Sequence, residues 1–168
     1  MINLRKHYST LALIIILGFL SQNSFAMDQQ PFKTSKKTSQ TKTKVTTYHY
    51  RDGSFYRGQI QKNQPHGFGS FAFANGDSYT GMFKSGIPTG QGMWTYNGAG
   101  LYIGEWKAGH RHGKGTYIYK NGSFHAGSWA KDHQHGKGKY TDFRGMTISG
   151  QWVNGRYYRS QKKMKDQL

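Results

Sequence analysis

The chain has 168 residues, with 24 Lys and Arg against 7 Asp and Glu, and a net charge of +17 when histidine is neutral. That is length for one modest domain, and such an excess of cations points to an anionic partner or surface. Cysteine is absent, which excludes a disulfide framework, a thiolate metal site and a cysteine nucleophile, while 23 glycines, 15% aromatic residues and a single glutamate, Glu105, favour short strands and tight turns over helix.

Residues 1–26 read as an export signal. Arg5, Lys6 and His7 give a positive start, Leu11–Leu20 is an apolar run, and Ser24-Phe25-Ala26 places small residues at a cleavage site. The apolar run is shorter than the ~20 residues that span a bilayer as a helix, so cleavage after Ala26 is expected rather than retention as an anchor. The mature chain is then expected in the periplasm or outside the cell. Residues 27–47 carry five lysines and little to bury, and are expected to form a disordered basic linker. Residues 159–168 read as a basic C-terminal tail.

Between these segments, from Tyr48 to Tyr158, the chain repeats every 23 residues. Gly58, Gly81, Gly104, Gly127 and Gly150 keep that spacing, as do Gly67, Gly90, Gly113 and Gly136, and Gly69, Gly92, Gly115 and Gly138. Two residues after the first column stand Ile60, Phe83, Trp106, Trp129 and Trp152; two before it stand Tyr56, Tyr79, Tyr102, His125 and Ile148. The unit is aromatic-x-Gly-x-aromatic, a turn, then His-Gly-x-Gly. A fixed period of this length marks a repeat architecture whose units stack on their neighbours.

These units resemble MORN repeats (membrane occupation and recognition nexus). The stretch "YIGEWKAGHRHGKGTYIYKNG", Tyr102 to Gly122, carries the family pattern Tyr-x-Gly-x-Trp, a short turn and His-Gly-x-Gly. Thr89 replaces the histidine in the second unit, and Ile60 and Ile148 depart from the aromatic pattern in the first and last of about five units. The resemblance implies a scaffold or membrane-associated module. No kinase or methyltransferase domain, of the kind attached to some members, fits in the chain.

Each unit also reads as a β-hairpin from its residues alone. In "YTGMFK", Tyr79, Gly81 and Phe83 alternate with Thr80, Met82 and Lys84; "SGIPTG" then turns the chain, and Gly92, Trp94 and Tyr96 return. Asn75-Gly76 and Asn121-Gly122 are expected as two-residue hairpin turns. Stacked hairpins give an all-β fold, an elongated antiparallel meander forming a single-layer curved sheet. Phe83, Trp106, Trp129 and Trp152 are expected in its core, and Tyr79, Tyr96, Tyr102 and Tyr119 at the surface of a groove.

The stretch "HRHGKGT", His110 to Thr116, tests whether the repeat hides chemistry. A phosphate-binding loop needs a first glycine where Ala108 stands and a helix afterwards, so nucleotide binding is not expected. His110, His112, His133 and His135 form two His-x-His pairs one repeat apart, an arrangement that suits zinc, copper or nickel. No cysteine, and no carboxylate besides Asp132, completes a set. Exposed turn histidines without a metal or other cofactor are therefore expected, and no catalytic centre assembles.

Charge divides by rim. Lys62, Lys84, Lys107, Arg111, Lys114, Lys131, Lys137 and Lys139 gather with Asp132 on the side of the "SGIPTG" turns, whereas Arg51, Lys120 and Arg144 face Asp52, Asp77 and Asp142 on the other. Histidines on the first rim would make it more positive below about pH 6.5. The expected function is non-enzymatic binding to an anionic surface, foremost membrane phospholipid headgroups, through this basic rim. The alternative is a protein-interaction or homodimerising module that uses exposed aromatics and sheet ends. Export argues against nucleic acid as the physiological partner.

Overall fold

The computed structural model describes residues 45–158. The expected signal, most of the expected linker and the C-terminal tail lie outside the described residues. The strands are β1 (Val45–His49), β2 (Phe55–Gln61), β3 (Gln64–Ala72), β4 (Ser78–Lys84), β5 (Ile87–Tyr96), β6 (Gly100–Lys107), β7 (His110–Tyr119), β8 (Phe124–Ala130), β9 (His133–Thr141), β10 (Thr147–Val153) and β11 (Arg156–Tyr158). They form one open antiparallel sheet in which every strand pairs with its neighbours in sequence. The all-β meander of stacked hairpins is thus the observed fold. Val45–Thr47, placed in the linker by sequence, belong to β1.

The register explains the glycine columns. Gly58, Gly69, Gly81, Gly92, Gly104, Gly115, Gly127, Gly138 and Gly150 stand directly opposite one another from β2 to β10, a continuous row across the strands. The row is a trench without side chains, and the rings of Tyr56, Tyr79, Tyr102 and His125 lie in it, each 0% exposed. The tyrosine hydroxyls donate to carbonyls three residues on: Tyr56 to Gln59 at 2.7 Å, Tyr79 to Met82 at 3.0 Å and Tyr102 to Glu105 at 3.1 Å. A buried phenol is thereby satisfied without a second sheet.

Between these rings insert Phe83, Trp106, Trp129 and Trp152, the residues expected in the core. Successive contacts from Tyr56 through Phe83, Tyr79, Trp106, Tyr102, Trp129 and His125 to Trp152 have centroids 4.6–5.5 Å apart and interplanar angles of 77–87°. Edge-to-face packing of this kind adds about 0.5–1.5 kcal/mol per pair beyond burial. Trp106 and Trp129 also donate Nε1 to the Gly92 and Gly115 carbonyls at 3.2 and 3.1 Å. The core is therefore a single file of rings on one face of the sheet. A smaller cluster, Leu101, Ile103 and Ile118 with Met93 and Phe124, packs on the opposite face.

The turns differ from expectation. The two-residue hairpins are Lys62-Asn63, Ser85-Gly86, Ala108-Gly109, Lys131-Asp132 and Asn154-Gly155, where both residues have φ between 48° and 81°. That is the type I′ geometry that matches strand twist. "SGIPTG" is thus a two-residue turn followed by the first residues of β5. At the other rim Asn75-Gly76 and Asn121-Gly122 sit in longer loops in which only the glycine has positive φ. There Asn75 and Asn121 use Oδ1 to accept from the backbone N–H groups of Asp77 and Ser123, both at 3.0 Å. The asparagine's hydrogen bond, rather than a left-handed backbone, is what it contributes.

Candidate functional site

Pairing partners divide the strand residues between two faces, and charge follows the face. Lys84 and Lys107 end β4 and β6 opposite Ile87 and His110, on the face away from Phe83 and Trp106. Lys114 pairs with Ser128, Lys137 with Gln151 and Lys139 with Ser149, all on that same face. Lys62 and Lys131 occupy turn tips at φ 49° and 48°. The basic set expected along a rim is therefore spread over a face, with two members at its edge. Arg57 and Arg156, absent from the expected set, share this face, and Glu105 is its one strand acid, accepting the Lys114 backbone N–H at 2.7 Å.

Large apolar side chains are exposed among these cations. Phe68 is 47% exposed, Met82 40% and Ile87 48%, and their register partners place them opposite the aromatic file. Carrying the alternation of "YTGMFK" through each returning strand would have found this face in the sequence.

Arg111 departs from the rim set. It pairs with Trp106 and turns onto the aromatic face, where its guanidinium lies 4.8 Å from the Trp129 ring centroid and 5.4 Å from that of Tyr117. Nη2 donates to the Asp132 carbonyl at 2.7 Å and Nε to Asp132 Oδ1 at 3.3 Å, so the side chain is 19% exposed. Stacking and pairing both suit the planar guanidinium. Burial works against the Asp132 carboxylate, but the Arg111 backbone N–H, His110 and the guanidinium outweigh it and hold Asp132 below the usual carboxylate range.

Beside this pair is a hollow of about 360 Å³ lined by Tyr96, Tyr119, Trp129 and Gln134 among others. Of the four tyrosines expected at the groove surface, Tyr96 and Tyr119 line it, each half-buried; burial pushes Tyr96 up to about 12. Tyr79 and Tyr102 do not, because both are 0% exposed in the glycine trench. On either side the hollow continues as a ladder of rings: Phe73–Trp94 at 5.0 Å, Trp94–Tyr96 at 5.8 Å, Tyr96–Tyr117 at 5.8 Å, Tyr117–Tyr119 at 4.7 Å and Tyr119–Tyr140 at 6.3 Å.

Histidines do not come together as a metal set. His110 Nδ1 is drawn to Asp132 Oδ2, His112 stands opposite Glu105, and His133 and His135 are exposed on β9. Among the described residues no three His, Asp or Glu side chains converge to hold an ion. His125 is a different case. Buried in the tyrosine column with neither ring nitrogen hydrogen-bonded, it is lowered to about 4 by desolvation.

No curated protein was found to match the chain. The MORN repeat family matches residues 56–78, 79–98, 102–124 and 125–147, more than half of the sequence. Each matched segment begins at a trench ring: Tyr56, Tyr79, Tyr102 and His125 in turn. The repeat is a binding module and supplies no catalytic group of its own. With its glycine row, its file of edge-to-face rings and its four matched units, this chain belongs to the MORN-repeat family.

Proposed function

We propose that the chain is a non-enzymatic binding or scaffold protein, exported through its N-terminal signal, that lies against an anionic membrane surface and engages phospholipid headgroups. The observation that carries this is the face formed by Arg57, Lys84, Lys107, Lys114, Lys137, Lys139 and Arg156, opposed on its strands by Glu105 alone and interspersed with exposed Phe68, Met82 and Ile87. Cations draw a protein to an anionic leaflet at about 1 kcal/mol each, and apolar side chains between them enter the headgroup boundary. Cosedimentation with vesicles tests it. Binding to phosphatidylserine-containing vesicles that weakens steeply with salt is expected; equal binding to pure phosphatidylcholine, unaffected by salt, would exclude it.

A second reading is supported by the sheet's ends. β1 is an edge strand whose outer side pairs with no described strand, and it exposes Val45 (59%) and Tyr48 (41%). Such an edge can pair with a second copy. Sedimentation of the mature chain as a salt-resistant dimer would favour a homodimerising module.

A further inference from the structure

The aromatic face is chemically unlike the cationic one, and an internal repeat provides its own control. The column of Arg111 holds Pro65, Pro88, Gln134 and Tyr157, and that of Asp132 holds Asn63, Gly86, Gly109 and Gly155. The fold needs no polar group on the aromatic face at these positions, since Pro65 and Pro88 serve in two units and glycine suits the left-handed turn in three. Yet Arg111, Asp132 and Gln134 converge on one hollow beside Tyr96, Tyr119 and Trp129. Arg111 and Asp132 brace each other and the Trp129 ring, and the same contacts hold their remaining polar atoms at the margin of a hollow that the other units lack the groups to line.

We propose that this hollow and the ring ladder through it bind a neutral, extended oligosaccharide. A pyranose offers an apolar C–H face to stack on an aromatic ring and hydroxyls around its edge for hydrogen bonding. The hollow matches both, with rings as platform and Asp132, Arg111 and Gln134 at its margin. Asp132 Oδ2 meets only His110, so the carboxylate keeps acceptor capacity. Gln134 uses one amide hydrogen on Tyr119 Oη at 3.2 Å, leaving Oε1 and the second hydrogen.

Charge selects the polymer. A single-stranded nucleic acid would also stack on such a ladder, but it requires a cationic groove. Among strand residues of the aromatic face Arg111 alone is permanently charged, and Asp132 matches it. The strand lysines are on the other face. The ladder extends both ways from the hollow, so the ligand spans several sugar units.

The test titrates full-length protein with three neutral hexasaccharides, a β-1,4-glucan, a β-1,3-glucan and β-1,4-linked N-acetylglucosamine, following calorimetry and tryptophan fluorescence. At least one is expected to bind and perturb tryptophan emission. The double variant Arg111→Pro/Asp132→Gly restores residues that the repeat itself uses, so the fold should persist by circular dichroism while affinity falls at least tenfold. Gln134→Ala should weaken binding similarly, and Lys137→Ala should leave it unchanged. Absence of binding by all three sugars at millimolar concentration overturns the proposal, as does undiminished binding by the double variant. Binding of oligo-dT or poly-L-proline with no hexasaccharide bound also overturns it.

Discussion

Arg111 and Asp132 are held together by four hydrogen bonds: the Arg111 backbone N–H and Nε both donate to Asp132 Oδ1, at 2.9 and 3.3 Å, Nη2 donates to the Asp132 carbonyl at 2.7 Å, and the Asp132 backbone N–H donates to the Arg111 carbonyl at 3.2 Å. Asp132 also sits at φ 69° in a type I′ turn, where other units have glycine or asparagine. Two costs can therefore be separated by substitution. Asp132→Gly loses the side-chain bonds but relaxes the backbone, whereas Asp132→Ala loses the bonds and keeps a left-handed residue with a Cβ. In urea denaturation Asp132→Ala should be less stable than Asp132→Gly by about 1 kcal/mol. Asp132→Asn should lie closest to the native protein. Equal stability of the alanine and glycine variants would show that the turn geometry is not as described.

His125 occupies a tyrosine position without a tyrosine's hydrogen bond. Its folded-state value near 4 lies below the ~6.5 of an unfolded histidine. Between these values the unfolded chain binds a proton that the folded chain does not, so stability falls as pH drops from about 6.5 toward 4 and is fully present above that window. The loss attributable to this residue is at most about 3 kcal/mol. His125→Tyr should raise stability at neutral pH, because the phenol of this unit would reach the Ser128 carbonyl as its counterparts do. It should also flatten the pH profile between 4 and 6.5. Thermal unfolding across that range, native against variant, checks both.

The glycine row admits no side chain on the aromatic face. A Cβ at Gly81 would lie 2.5 Å from Gly92 Cα and 2.7 Å from the Tyr79 hydroxyl, and Gly81 has no positive φ to complicate the comparison. Gly81→Ala should cost about 1–3 kcal/mol through overpacking, at the upper end because the obstacle is backbone. Gly98→Ala meets nothing within 4 Å and fails only through its φ of 75°. Its cost should be near 1 kcal/mol. Denaturant midpoints for the two variants distinguish a trench from a merely turn-rich sheet.

Much of the fold was legible because a 23-residue period constrains every unit at once. The strand-pairing glycines, the ring core and the paired hairpins all follow from columns. What was misplaced followed from treating "SGIPTG" as a long turn. Once Ile87 to Gly90 are strand, alternation carries into the returning segment and assigns Lys114, Lys137 and Lys139 to one face and Arg111 to the other. The rim was thus a projection of a face. Tyr79 and Tyr102 were placed at the groove because alternation reports a face but not depth; the trench that swallows their rings exists only once glycines from adjacent strands are in register. The Arg111–Asp132 pair had a signal in the sequence, since both residues depart from their columns.

The measurement that tests the central claim most directly compares two sets of charge removals on vesicles containing phosphatidylserine. One variant replaces Lys114, Lys137 and Lys139 on the face with alanine; the other replaces Lys62 and Lys131 at the turn tips. Three cations at about 1 kcal/mol each predict a loss of roughly a hundredfold in partition coefficient for the face variant. The turn variant should lose clearly less, because its side chains extend past the edge of the contact. Binding by the face variant that equals the native protein's, or a larger loss in the turn variant, would contradict the assignment of the cationic face as the membrane-contacting surface.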